Sequence, residues 1–167
     1  LAKGNAAEAI AFLDSMYHWQ KMAVIRYKLI QIHLFSGNPD TALTMLNSII
    51  STIPPLDKSF NDVMELQDIL SYHFQRVNHQ GKDAFEAFLR AELYLRQQKI
   101  SEAGEHLSYL LDTYPNVGLV PLVTLRLALI LLRLNQPELA LEMIPAMEKT
   151  PLADKGLILS GQIYEQI

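Results

Sequence analysis

The sequence predicts an all-α fold built from antiparallel helix hairpins. Three observations predict it. Hydrophobic residues recur at helical spacing along almost the whole chain, alternating strand patterns are short and rare, and one residue pattern is repeated several times. Half of the 167 residues are hydrophobic and 19% are charged, so the chain has enough apolar material for a sizeable core.

About nine helices are predicted, and turn residues separate them. Gly37 and Pro39 fit a helix end followed by a proline at an early helical position. Pro54, Pro115 and Pro151 lie where further helices should end. The predicted helices cover residues 6–17, 19–36, 39–52, 58–77, 83–97, 101–113, 119–134, 137–149 and 153–167.

Three segments repeat the same order of a small residue, two large hydrophobic residues and a proline. The small residue near the start of each second helix is Ala42, Ala103 or Ala140, and Ala9 begins a fourth copy. A small side chain lets two antiparallel helices approach closely, and the large residues four and seven positions later fill the seam. These are Leu46 and Ile49, Leu107 and Leu110, Ile144 and Met147, and Leu13 and Met16. Each hairpin buries only part of its apolar face, so the hairpins must stack.

One interval between these alanines breaks the repeat. Ala42 and Ala103 are 61 residues apart, which is too long for one repeat and too short for two. We predict that residues 58–77 form one extra helix that does not pair as a regular hairpin. The alternative is a first helix whose partner has been lost. Pro145 lies inside the predicted helix 137–149. It predicts a bend or a break there, because proline cannot donate a hydrogen bond to the Leu141 carbonyl and its ring clashes with that carbonyl.

The spacing resembles the tetratricopeptide repeat, a 34-residue helix-turn-helix unit. The small residue and the aromatic of that unit's first helix align with Ala91 and Tyr94, with Ala128 and Leu131, and with Gly161 and Tyr164. The resemblance implies one α-solenoid over residues 1–167, a right-handed superhelical stack of hairpins. Its repeat units would lie near residues 1–18, 23–56, 84–117 and 121–153, with a partial unit at 154–167 and the extra helix at 58–77.

No residue pattern predicts catalysis or a cofactor. The phosphate-binding loop, the nucleophile elbow and the HExxH motif are all missing, there is no cysteine, and His73 and His79 are not at ligand spacing. A net charge of −4 without a run of Lys or Arg gives no support to nucleic-acid binding. No uncharged run approaches the roughly 18–20 residues of a membrane span. We therefore expect no catalytic or metal site, no cofactor, no nucleic acid and no membrane insertion. The compartment is not predicted, since the chain begins at Leu1 and resembles a piece of a longer protein.

The resemblance also implies where a partner binds, because first helices line the concave side of such a stack. The positions it places there are Tyr27, Gln31, Leu34, Phe85, Phe88, Glu92, Leu122, Leu125 and Leu129. This lining is more apolar than soluble monomers normally expose. One expectation is therefore a scaffold that binds a protein or peptide partner, or a second copy of the chain. The alternative is a purely structural segment whose lining is core, covered by residues 58–77. The Lys, Asn and Arg clamp with which some family members hold acidic C-terminal peptides is absent from these positions.

Overall fold

The described residues of the chain form nine α-helices and no strand, which confirms the all-α prediction. The computed structural model describes residues 5–20 and 22–165, with residues 19 and 20 described by their backbone alone. The helices are α1 (Ala6–Gln20), α2 (Ala23–Phe35), α3 (Pro39–Ile50), α4 (Phe60–Leu70), α5 (His79–Arg96), α6 (Ile100–Thr113), α7 (Val120–Arg133), α8 (Pro137–Met143) and α9 (Ala153–Tyr164).

Two helices begin four residues away from their predicted starts, and the others begin within two residues of theirs. Helix α2 begins at Ala23 rather than at residue 19, since α1 continues to Gln20. Helix α5 begins at His79, four residues earlier than predicted, because the Asn78 side chain accepts a hydrogen bond from the Gly81 N–H (2.9 Å) and caps the helix. Residues 1–4, 166 and 167 lie outside the described residues. The predicted units 1–18 and 154–167 and the predicted helix 153–167 extend into them.

Helices that follow each other in the sequence pack together over most of the chain. Helix α2 packs on α1 and α3, α6 packs on α5 and α7, and α8 packs on α7. Helix α2 also contacts α5, although two other helices separate them in the sequence. Two clusters of buried side chains hold these pairs together, and the smaller one joins α7, α8 and α9.

The seam residues of α3, α6 and α8 are buried where the helices meet, whereas those of α1 (Ala9, Leu13 and Met16) are half-buried. Ala42, Ala103 and Ala140 are each 0% exposed. The large residues that follow them are buried too, namely Leu46, Ile49, Leu107, Leu110, Ile144 and Met147. This confirms the predicted burial, and it follows from helix geometry, since positions four and seven residues apart lie on one face.

A single helical segment lies between α3 and α5, where the repeat is interrupted. Helix α4 continues into a π-helical turn over Ser71–Gln75, in which the Arg76 N–H donates to the Ser71 carbonyl (3.2 Å). Helix α4 packs against α3, and the π turn packs against α5. The α4 part of this segment thus contacts the α2–α3 hairpin, and its π turn contacts the α5–α6 hairpin. Its origin as an extra helix remains a prediction.

The predicted break at Pro145 is confirmed. Helix α8 ends at Met143, and Ile144–Met147 forms a 3-10 turn. Proline lacks an N–H, so the α-helical ladder cannot continue through it. The tighter turn still buries Ile144 and Met147, which pack with Leu159 and Ile163 of α9.

Candidate functional site

A groove of about 450 Å³ opens on the face to which α2, α4, α5 and α7 contribute. Seven of the nine positions that the sequence placed on the binding face line it, namely Leu34, Phe85, Phe88, Glu92, Leu122, Leu125 and Leu129. The remaining lining residues are Phe35, Glu65, Leu66, Ile69, Leu89, Arg96, Arg126 and Lys155. The fold therefore gathers residues that are distant in the sequence around one cavity.

The floor of the groove belongs to the hydrophobic core. Phe85 is only 1% exposed, and its ring lies 6.0 Å from that of Phe74 in the π turn. Leu34 and Phe88 are also buried. The sequence left open whether this face is exposed or covered, and in the structure Phe85 and Phe88 are enclosed. Residues 58–77 cover Phe85, as the structural alternative required.

The accessible apolar part of the groove lies on its walls. Leu122, Leu125 and Leu129 follow each other along one face of α7 and are half-buried. Leu66 and Ile69 of α4 are half-buried in the same lining. A partner side chain that entered the groove would meet these five aliphatic groups, because the rings beneath them are already enclosed.

A buried carboxylate lies among these apolar groups. The Glu92 side chain is 7% exposed, and its Oε2 accepts a hydrogen bond from Arg96 Nη1 (3.1 Å) one helical turn later. Its Oε1 forms an ion pair with Nε of Arg126 in α7. This second contact is close but lacks the alignment of a hydrogen bond, and neither atom has another hydrogen-bond partner among the described residues. The Glu92 carboxylate thus contacts two guanidinium groups, those of Arg96 and Arg126.

Both guanidinium groups remain partly accessible from the groove. The side chains of Arg96 and Arg126 are 37% and 39% exposed. Arg96 also lies over the Phe35 ring, 3.6 Å from its centroid, a cation–π contact that holds it in place. With Glu65 and Lys155 on the lining as well, three cationic groups face two carboxylates. The groove is therefore apolar on its walls, with a slight excess of positive charge.

Tyr27 and Gln31, the other two predicted positions, do not line the groove. Burial raises the pKa of the Tyr27 phenol, and the Asp62 and Glu65 carboxylates of α4 raise it further. The Gln31 side chain accepts a long hydrogen bond from Lys28 Nζ (3.4 Å). Tyr27 is thus close to α4, which lies over this part of α2.

The groove is lined by apolar side chains together with charged ones. Across residues 5–20 and 22–165, no group of three or more His, Asp or Glu side chains is placed to hold a metal ion. Nor does any helix in that part of the chain have the length and apolarity to cross a membrane. Burial lowers the pKa of His73, but its ring stacks on Phe85 (6.3 Å between centroids) beside the π turn and does not line the groove.

Sequence reasoning missed the groove-lining side chains of α4 and the basic groups Arg96, Arg126 and Lys155. The side chains of Leu66 and Ile69 reach the groove because α4 interrupts the repeat, so no repeat position marks them. Arg126 follows Leu125 directly, and in the sequence it looks like the charged end of an apolar run. The one sequence signal for Arg126 was its place next to Leu125, a predicted binding position.

Comparison with known protein families finds no family model that matches the chain, and comparison with curated proteins finds no match either. The resemblance to the tetratricopeptide repeat therefore depends on the residue pattern alone.

Proposed function

We propose that this chain is a non-catalytic protein-interaction scaffold, a tetratricopeptide-like α-solenoid that binds a partner segment in the groove. The proposal includes a right-handed superhelical stack of its hairpins. The buried alanine seams and the pairing of consecutive helices support it. The groove supports the binding role, because it gathers predicted positions from three first helices.

The walls of the groove carry the proposal. Leu122, Leu125 and Leu129 recur at three and four residues along α7, opposite the aliphatic side chains of α4. Such a stripe suits the apolar face of an amphipathic helix or of an extended segment. The volume of the groove lies in the range of small binding pockets, so it accommodates a few side chains rather than a whole domain. The partner in this account is a protein or peptide, not a nucleic acid.

A second candidate is a purely structural segment without a binding face. The burial of Leu34, Phe85 and Phe88 favours it, because most aromatic area of the predicted face is already enclosed. In that case the α7 leucines contribute only to packing within the chain. The scaffold candidate predicts that a ligand binds in the groove, and the structural candidate predicts that none does.

The test is selection of binding peptides from a displayed library on the immobilised chain. The selected clones are then tested for binding to a Leu125→Gln variant. Glutamine has a volume similar to that of leucine and puts an amide into the wall of the groove. Burying that amide under a ligand without a partner costs about 1–3 kcal/mol, which lowers affinity by roughly 5- to 150-fold.

The proposal expects apolar peptides that bind the parent chain tightly and the Leu125→Gln variant weakly. The matched control is Leu139→Gln in α8, an exposed leucine outside the groove, which should bind like the parent. Circular dichroism checks that both variants keep their helical content. If no groove-specific peptide emerges, or if both variants bind equally, the scaffold proposal is wrong and the structural candidate stands.

A further inference from the structure

The outer face of α9 exposes an unusual amount of apolar surface. Leu157, Ile158 and Tyr164 are 67%, 63% and 69% exposed. A methyl group added at Gly161 would meet no atom within 4 Å. The opposite face of α9 is buried against α8 and the 3-10 turn through Gly156, Leu159 and Ile163. Helix α9 is therefore packed on one side and open on the other.

The open side of α9 corresponds to the side by which α5 and α7 bind their hairpin partners. In the repeat register, Gly161 aligns with Ala91 of α5 and Ala128 of α7, which are both 0% exposed. Ala91 packs in the cluster that contains Ala103, and Ala128 packs in the cluster that contains Ala140. Helix α9 thus has the surface of a first helix, and no second helix covers it among the described residues.

Helix α1 has the reverse character. Its Ala9, Leu13 and Met16 occupy the seam positions of a second helix but are only half-buried, whereas the equivalent residues of α3, α6 and α8 are buried. Phe12, one residue before Leu13, is 64% exposed. Its equivalents in the three complete second helices are Met45, His106 and Met143, all half-buried. Helix α1 therefore has the surface of a second helix, and no first helix covers it among the described residues.

A complete hairpin shows how these two surfaces fit together. In the α5–α6 hairpin, the Tyr94 ring stacks on the His106 ring with their centroids 5.1 Å apart and their planes 28° apart. Tyr164 of α9 occupies the register of Tyr94, and Phe12 of α1 occupies the register of His106. Tyr164 and Phe12, which are both exposed, thus hold the two positions of an established contact.

We propose that α9 of one copy pairs with α1 of a second copy as a composite hairpin, with Tyr164 against Phe12. The two surfaces differ, so the contact is head-to-tail, and each added copy leaves one free surface of each kind. Association therefore continues into chains or closes into a ring. This interface uses none of the groove-lining residues and does not depend on the proposed scaffold function.

The test is sedimentation velocity of the purified chain over a wide concentration range. The unsubstituted chain should form species larger than a dimer as concentration rises. Phe12→Asp and Tyr164→Asp should each abolish this, because each leaves only one working surface. A mixture of the two variants should form a 1:1 heterodimer and nothing larger, since only the α9 face of the first and the α1 face of the second remain intact.

Tyr109→Asp is the matched control, an exposed tyrosine on α6 outside the composite hairpin, and it should associate like the parent. Circular dichroism checks folding, and Phe12→Ser with Tyr164→Ser repeats the comparison if a charge lowers the helical content. A chain that stays monomeric at every concentration would overturn the proposal, and the two faces would then be covered by other helices. Variants that still associate, or that fail to complement each other, would overturn it as well.

Discussion

Arg126 of α7 forms an ion pair with the buried carboxylate of Glu92 in α5. The two helices belong to different hairpins, and α6 lies between them in the sequence. The contact therefore connects neighbouring hairpins through charge, in a fold whose other connections are mainly apolar. It also places two arginines and one carboxylate in the groove, where a ligand would meet them.

Replacing Glu92 by alanine should destabilise the chain. The change would leave Arg96 and Arg126 close together without the carboxylate that neutralises them. Removing one partner of a fully buried pair costs about 3–5 kcal/mol. Because both arginines are partly exposed, we expect roughly 1–3 kcal/mol here. Urea unfolding measures the change. Glu86→Ala, at an exposed position of α5, is the control, and an equal effect of both substitutions would contradict the account.

Enlarging a seam alanine should also destabilise the chain. Ala103 is fully buried among Ala91, Leu107 and the other residues of the main cluster. Leucine at this position overpacks the contact between α5 and α6, which costs roughly 1–3 kcal/mol. A thermal melt detects this as a lower Tm. Ala7→Leu, on the exposed side of α1, should leave the Tm almost unchanged. Equal Tm values for Ala103→Leu and the parent would argue against a close contact between α5 and α6 at Ala103.

Two glycines inside helices should respond to alanine in opposite ways. At Gly104 an added Cβ would lie 3.6 Å from Ile130 Cγ2, an ordinary contact, so Gly104→Ala should stabilise the chain by about 0.5–1 kcal/mol. At Gly81 the Cβ would lie 2.7 Å from Val77 Cβ, and Gly81→Ala should cost roughly 1–3 kcal/mol. Chemical unfolding of both variants measures the difference. If Gly81→Ala instead raised the free energy of unfolding, the turn before α5 would shift without cost and this prediction would be wrong.

Acidification should weaken the fold partly through His73. Burial lowers the pKa of this side chain below its usual 6.5, so the folded chain resists its protonation. As the pH falls below about 6.5, the unfolded chain binds a proton that the folded chain does not, and the free energy of unfolding decreases until the folded pKa is reached.

His73→Gln removes this contribution. Its free energy of unfolding should therefore fall less steeply than that of the parent between about pH 7 and pH 5.5. Urea titrations at several pH values measure both profiles. Parallel profiles would mean that His73 does not contribute to the pH dependence of stability.

The sequence predicted those parts of the fold that repeat or obey a local rule. The nine helices of residues 5–20 and 22–165 follow from hydrophobic periodicity. The burial of Ala42, Ala103 and Ala140 follows from their shared register, and the break at Pro145 follows from the missing N–H. All of these depend on residues within a few helical turns of each other.

The remaining features depend on contacts between distant segments. The π turn after α4, the cover over Phe85 and the pairing of Glu92 with Arg126 arise only when α4, α5 and α7 come together. Seven of the nine predicted positions therefore line the groove, but their depth could not be predicted. The sequence left open whether Phe85 is surface or core, and the packing of Phe74 makes it core.

The central claim is that the walls of the groove contact a partner segment, and site-specific photo-crosslinking tests it most directly. A benzophenone side chain is placed at Leu125 in α7, or at the exposed Leu139 in α8 as control, in the protein produced in its own cells. The account predicts an irradiation-dependent adduct with a protein partner from Leu125 and none from Leu139, and mass spectrometry should find the crosslinked segment rich in apolar residues. No adduct from Leu125, or equal adducts from both positions, would contradict the claim.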